Sequence, residues 1–279
     1  MALAAKTLLL LDKFGRFRGF APPRVRLLST TPAQSQQPTA ADVEALMGLR
    51  GHPSGVEVRV LEHAGRGLFL SVRASPVAAG TALLSDLAPL ASGKDYSGII
   101  ARLLLKTSLE QVEGENKTMS LLANLVFPLN LNDQSLREED EREISRGMRE
   151  VKDFVNANAH GKFELLEVDR AVYTRLWGVC FLNALRNPGT KDLVLFSVVS
   201  LLNHSCFPSC GLRFDSTGAN VSVVAINQQL EPNRQLTINY VEGQAETERW
   251  SQPTRAKYLL EHYSIACTGS KETCVCSKY

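Results

Sequence analysis

Ten residues, Leu201 to Cys210, read LLNHSCFPSC. They place an amide (Asn203), an imidazole (His204) and two thiols (Cys206 and Cys210) at the end of an apolar run. Three further thiols, Cys267, Cys274 and Cys276, lie near the end of the chain. Two chemistries suit such groups. His204 and Cys206 are two residues apart, on one face of a strand, and an imidazole beside a thiol can raise a nucleophilic thiolate. Nucleophile and base of that kind usually meet through the fold rather than as close sequence neighbours, and no Gly-rich oxyanion turn follows Cys206. A metal answers the pattern better. Structural zinc takes four tetrahedral ligands with thiolate as its usual partner, so three tail cysteines want a fourth donor, which Cys206 or Cys210 could supply across space. The plainer alternative is free thiols. His262 is a further candidate ligand, with a surface histidine as the plainer reading. Cys180 and Cys210 read as small buried hydrophobes.

These groups need elements to hold them. VEVRVLEH, from Val56, alternates with a strand period, which turns Val56, Val58 and Val60 inward and Glu57 and Arg59 outward. AGRGLFLSVRA adds a Gly-rich turn and a second strand. Because no helix opens after Gly67, its G-x-G is not a dinucleotide fingerprint. SPVAAGTALLSDLAPLAS reads as a turn, a strand and a Pro-broken exit. Residues 97–158 turn helical, with Ile99, Leu103 and Leu104 as one apolar face and Ile144, Met148, Val151 and Val155 as another. The acidic run from Glu138 to Glu143 sits toward a helix N-terminus, where the macrodipole favours it, and reads as a solvated face. Beyond LVLFSVVSLLNHSC the pattern predicts a hairpin turning at Gly218, a turn at Pro232-Asn233, and a strand reaching Tyr240. A last helix follows, carrying Tyr258, Leu259 and His262.

Composition bounds the partners. The 279 residues are 44% hydrophobic and 22% charged with a net charge of +2, an ordinary globular balance that gives no global reason to expect direct nucleic-acid binding. No apolar run reaches the roughly 20 residues of a membrane-spanning helix, so no membrane is expected. Residues 1–31 set Lys6, Lys13, Arg16, Arg18, Arg24 and Arg26 against Asp12, and resemble a mitochondrial targeting leader. Mitochondrial localisation is the expectation, with nucleus or cytoplasm as the alternative. Residues 32–51, rich in Pro, Gln, Ser and Thr, read as a linker.

Gly65-Arg66-Gly67 after the first strand, Asn203-His204-Ser205-Cys206-Phe207-Pro208 after an apolar stretch, a strand toward Tyr240 and a cysteine-bearing tail resemble the SET-domain protein-lysine methyltransferases, in that order. RAKYLLEHYSIAC is similar to the Arg-x-x-x-Leu-x-x-x-Tyr-x-Phe-x-Cys run of the SET-and-MYND-like group, but residues 97–158 hold no cysteine for the MYND zinc module. The resemblance implies an α+β, β-rich SET fold of small sheets with a threaded C-terminal segment. It divides the chain into a SET N-terminal part (52–96), a helical insert (97–175), a SET C-terminal part (176–245), and a post-SET helix and zinc tail (246–279).

The same resemblance implies S-adenosylmethionine as cofactor, contacted by Arg66, Gly67, Asn183, Asn203, His204 and Tyr240. It implies Tyr240 and Tyr263 as catalytic tyrosines of a methyl-transfer channel, and zinc held by Cys206, Cys267, Cys274 and Cys276. The substrate implied is a lysine-bearing protein, histone or non-histone. The family motif continues to Asn where this chain has Ser209. Its Gly-Glu-Glu/Asp-Leu turn is here Asn233-Arg234-Gln235-Leu236, and its tail cysteines are packed more tightly than Cys267 and Cys274. Ser209 and the Asn233-Arg234-Gln235-Leu236 turn favour an alternative, a catalytically weak SET-fold module that retains cofactor or peptide binding, while the intact Asn203, His204 and Tyr240 favour the methyltransferase more strongly.

Overall fold

The computed structural model describes residues 40–41, 43, 49, 55–61, 65–112, 117–122, 125, 138–158, 170–226, 229–241, 250–263, 265–267 and 276–278. The leader expected at 1–31, most of the linker, and Cys274 lie outside them. Residues 40, 41 and 43 are helical, and after them come strands β1 (Val56–Leu61), β2 (Gly65–Leu70), β3 (Val77–Ala78), β4 (Ala82–Leu87) and β5 (Ala91–Gly93). Helices α1 (Tyr96–Val112), α2 (Lys117–Leu122), α3 (Glu138–Asn158) and α4 (Arg170–Asn183) follow. Strands return as β6 (Ala184–Arg186), β7 (Leu193–Leu195), β8 (Asn203–His204), β9 (Cys210–Phe214), β10 (Val221–Ala225), β11 (Gln229–Leu230) and β12 (Gln235–Ile238). Helix α5 (Gln252–Tyr263) and strands β13 (Ile265–Cys267) and β14 (Cys276–Lys278) complete the order.

The sheets are small. One runs β1-β2-β12-β8, a second β4-β10-β9, a third β5-β7-β6, with β11-β3 and β13-β14 as two-stranded pairs. In the first sheet β1 and β2 are antiparallel, with Val56 opposite Leu70 and Val60 opposite Arg66. Val56 and Val58 are buried as their alternation requires, but Val60, expected inward, is 65% exposed. The register gives the reason. β12 covers β2 only at Phe69 and Leu68, so the sheet has narrowed to two strands where Val60 pairs with Arg66.

The turn before β12 keeps its geometry despite its altered sequence. Asn233 takes φ +65°, which Asn tolerates better than most residues, and its N–H donates to Leu70 O at 2.9 Å. Its side-chain oxygen accepts from the Arg59 guanidinium, which also pairs with Glu57. At the β9–β10 turn Gly218 adopts φ +72° as the hairpin demands, and the Asp215 carboxylate accepts from Thr217, Ala219 and Asn220.

Among the described residues three apolar clusters organise the fold. The helices make the first: Ile99, Leu103 and Leu104 of α1 meet Ile144, Val151 and Val155 of α3, with Met148 partly buried beside them. Helix α4 joins them through Tyr173, Leu176, Trp177, Val179 and Cys180. It is apolar nearly all round, as a helix sunk into a core should be, so it shows no helical stripe in the sequence. It runs through the boundary expected at residue 175. The second cluster lies between the sheets and includes Val58, Leu68, Leu84, Leu202, Val223 and Leu236. The third is small and joins the motif to the tail: Cys206, Val241, Leu259, Ile265 and Cys267, flanked by Tyr240, Trp250, Tyr258 and Tyr263.

Candidate active site

The site grows from one strand crossing. Strands β8 and β12 run parallel, Asn203 beside Thr237 and His204 beside Ile238, and β12 pairs on its other edge with β2. Parallel neighbours need a long connection, here the β9–β10 hairpin and β11. This brings together residues far apart in sequence. The Asn203 side-chain amide donates to Arg66 O at 3.2 Å, tying the Gly-Arg-Gly strand to the motif. Asn203 and His204 are both buried.

The His204 ring is committed within the protein. Its Nδ1 accepts the Tyr240 backbone N–H at 3.1 Å, so Nε2 carries the proton. Nε2 lies 3.4 Å from Cys206 Sγ, placed to donate to that sulfur. The same bond explains why β12 ends at Ile238, short of the expected Tyr240: the Tyr240 amide goes to an imidazole instead of a ladder carbonyl. The contact between His204 and Cys206 does not make a nucleophile, because Cys206 is only 3% exposed and faces the tail.

Tyr240 donates its hydroxyl to Leu202 O at 2.6 Å. Its ring lies 5.3 Å from the His204 ring and 5.0 Å from that of Tyr263, centroid to centroid. The two tyrosines expected to share a channel therefore touch. Burial pushes the Tyr240 phenol far above its ordinary value. Tyr263 is pushed the same way by burial first, then by the Tyr258, Tyr96 and Tyr240 phenols and a hydrogen bond with Tyr258. Both phenols are therefore neutral hydrogen-bonding groups at physiological pH.

Ser209, where the resembled motif has Asn, is a buried clamp. Its hydroxyl accepts from Thr237 N at 2.9 Å and donates to Gln235 O at 3.0 Å, while Ser209 N donates to Thr237 Oγ1 at 3.1 Å. It fastens the end of the motif to β12 on the strand pair that carries Asn203 and His204.

The cysteines divide as follows. Cys206 Sγ and Cys267 Sγ are 3.5 Å apart and both buried. Cys276 stands directly opposite Cys267 in the β13–β14 ladder. A tetrahedral thiolate site with zinc–sulfur bonds near 2.3 Å has sulfur–sulfur edges of about 3.8 Å, so the first two sulfurs fit such a site and the third backbone position is in register with it. Among the described residues no group of three or more metal-ligating side chains is gathered, and the Cys276 side chain and Cys274 lie outside that description. Cys180 and Cys210 are fully buried thiols; Cys210 is pushed up to about 11 chiefly by burial, with hydrogen bonds from Ser209 and the Thr237 backbone acting the other way.

Asn183 closes α4, buried, its amide donating back to Val179 O at 2.8 Å. Arg66 is half-buried and Gly67 sits within β2 opposite Arg59. His262, read as a surface histidine, is half-buried, its ring parallel to those of Phe181 and Tyr258 at 6.4 Å and 4.0 Å. The sequence places Tyr258 on the last helix but does not show it beside Tyr263, nor Trp250 against Tyr258. The i, i+4 spacing of Tyr258 and His262 on a helix was the available signal for the contact between those two rings.

No family model matches the chain, and no curated protein sequence matches it. Among solved structures it resembles the crystal structure of the SET domain of LSMT bound to lysine and AdoHcy, with TM-score 0.53 and 12% identity over 77% of this chain and 56% of that one. The same domain bound to MeLysine and AdoHcy gives TM-score 0.53 and 13% identity over 76% and 55%. The chain spans little more than half the length of these structures. At that identity the likeness is one of fold, and the described residues have a SET-like α+β fold.

Proposed function

We propose that this chain is an S-adenosylmethionine-dependent protein-lysine methyltransferase of the SET-and-MYND-like kind. The observation that carries the reading is the parallel β8–β12 crossing. It brings Asn203, His204 and Tyr240 together with Arg66 of the Gly-Arg-Gly strand, within a fold whose solved relatives were crystallised with lysine or methyl-lysine and AdoHcy. Bound S-adenosylmethionine supplies a methyl group on a positive sulfonium. The chain's own groups must hold the acceptor amine neutral and in line, about 3 Å from that methyl. Half-buried, un-ionised phenols at Tyr240 and Tyr263 suit this: they limit water, which favours the neutral amine, and offer hydroxyl dipoles to orient it. The clamp at Ser209 and the intact turn at Asn233 supply what the departures from the family motif had put in question, and favour the enzyme over a weak binding module.

The test is transfer of labelled methyl from S-adenosylmethionine to lysine-containing peptides and protein extracts, with Tyr240→Phe as control. Loss of the hydroxyl lowers the rate by about a hundredfold and also leaves the Leu202 carbonyl without its donor, so the melting temperature falls by a few degrees. A wild-type rate no higher than that of the variant under saturating cofactor overturns the reading.

Zinc belongs to the same proposal. Cys206, Cys267, Cys274 and Cys276 would hold it, and it would pin β13–β14 and α5 against the motif. His204, donating to Cys206 Sγ, would stabilise the thiolate. Metal analysis of freshly purified protein gives close to one zinc per chain, and less than a tenth of that removes the site. We further propose a mitochondrial location on the basic leader at residues 1–31, tested by fusing those residues to a fluorescent reporter.

A further inference from the structure

Cys206 and Cys267 reach the same point from opposite sides of the site. Cys206 belongs to the motif, just past β8, and Cys267 is the last residue of β13. They are 61 residues apart in sequence, yet their sulfurs stand 3.5 Å from each other. A disulfide bond is about 2.05 Å long, so an approach of about 1.5 Å, shared between two side chains, would join them.

The two sulfurs differ in how firmly they are held. Cys206 sits in chain that is fastened to β12: Ser205 N donates to Ile238 O at 2.9 Å, and the His204 ring accepts the Tyr240 N–H. Cys267 lies on the β13–β14 pair, three residues a strand, which joins no larger sheet among the described residues. That pair rests on the small third cluster and on one bond from the Gln252 amide to Cys267 O at 3.2 Å. An isolated two-stranded ladder is marginal and opens locally at low cost. Opening bares Cys267 to solvent while Cys206 stays in place.

We propose that Cys206 and Cys267 are a reversible oxidation site, which a hydroperoxide joins in a disulfide when the tail carries no metal. In the opened pair the Cys267 thiolate attacks one peroxide oxygen. The O–O bond breaks, Cys267 becomes a sulfenic acid, and the departing hydroxide leaves as water with the thiol's proton. When the pair recloses, the Cys206 sulfur attacks the Cys267 sulfur. The S–S bond forms, the S–O bond breaks, and a second water carries off the Cys206 proton. Two electrons thus pass from the two thiols to the peroxide. Cys206 acts only on the sulfur it faces. Zinc and the disulfide exclude each other, because both use these sulfurs. Either one ties the Tyr263 end of α5 to the strand that carries His204. The competition with metal rests on the zinc reading above; the disulfide does not.

The full chain is stripped of metal with a chelator, treated with hydrogen peroxide, alkylated, and mapped by peptide mass spectrometry without reduction. The Cys206 and Cys267 peptides are found joined, and dithiothreitol separates them. The oxidised chain melts several degrees above the reduced metal-free chain, because the bond closes a long loop. Cys276→Ser, which leaves the pair intact, oxidises in the same way. Cys267→Ser loses both the linkage and the gain in melting temperature. Prior loading with zinc slows the linkage by about tenfold or more. Cys206 and Cys267 recovered as separate alkylated thiols, or Cys267 joined to Cys274 or Cys276 instead, overturns the proposal. A linkage that forms equally fast in the zinc-loaded chain overturns the competition. A chain that binds no zinc overturns the zinc reading, and the disulfide is then decided by the chelator arm alone.

Discussion

At the scale of single residues, the site depends on side chains that bind backbone. Asn203 holds the Arg66 carbonyl, His204 takes the Tyr240 N–H, Tyr240 holds the Leu202 carbonyl, and Ser209 serves both Thr237 and Gln235. Each ties two segments that are far apart in sequence. Ser209→Ala leaves a buried amide and a buried carbonyl without their partner, a loss of about 1–3 kcal/mol. Urea denaturation then shows a lower midpoint with an unchanged slope. The motif residues were recognisable by type and order. What each one bonds was not, since Ser209, His204 and Tyr240 act on groups 26 to 38 residues away.

At the scale of elements, the helices are read well where they are two-faced and poorly where they are not. The stripes of α1 and α3 announce themselves, whereas α4 carries apolar residues on every side. Its burial follows from a close crossing at Gly147 of α3, where a Cβ would run into the Tyr173 hydroxyl and Ser97 Oγ. Those two hydroxyls share a hydrogen bond at 3.2 Å inside the crossing. Gly147→Ala therefore lowers stability by about 1–3 kcal/mol despite the better helix propensity of Ala, because the crossing must open. Thermal melting followed by circular dichroism reads that loss directly. Val60 teaches the same lesson for strands: alternation gives the face, but only the length of the neighbouring ladder says whether anything covers it.

At the scale of the whole molecule, the buried phenols make the fold sensitive to alkali. Tyr96 and Tyr173 are pushed up to about 12, both by burial first, and Tyr240 and Tyr263 are raised further by the same cause. A phenol whose folded value lies above its unfolded value near 10 keeps its full contribution to stability below pH 10 and loses it as the pH climbs through the folded value. The protein therefore weakens progressively above about pH 10, and absorbance at 295 nm rises together with loss of far-ultraviolet ellipticity. Phenols that titrate near pH 10 in a chain that stays folded contradict the packing described around them.

The sequence by itself determined the order of elements, the strand–motif–strand–tail succession and the residue types that could bind a cofactor or a metal. These are properties of neighbouring residues, set by local periodicity, turn chemistry and motif spacing. Only the tertiary structure decided the rest. It put β8 beside β12, Cys206 3.5 Å from Cys267, and the Phe181–His262–Tyr258 column against Tyr263. Such contacts join segments dozens of residues apart, and no local pattern encodes them. They follow from which apolar faces must be buried together once the β9–β10 hairpin has carried the chain back alongside the motif.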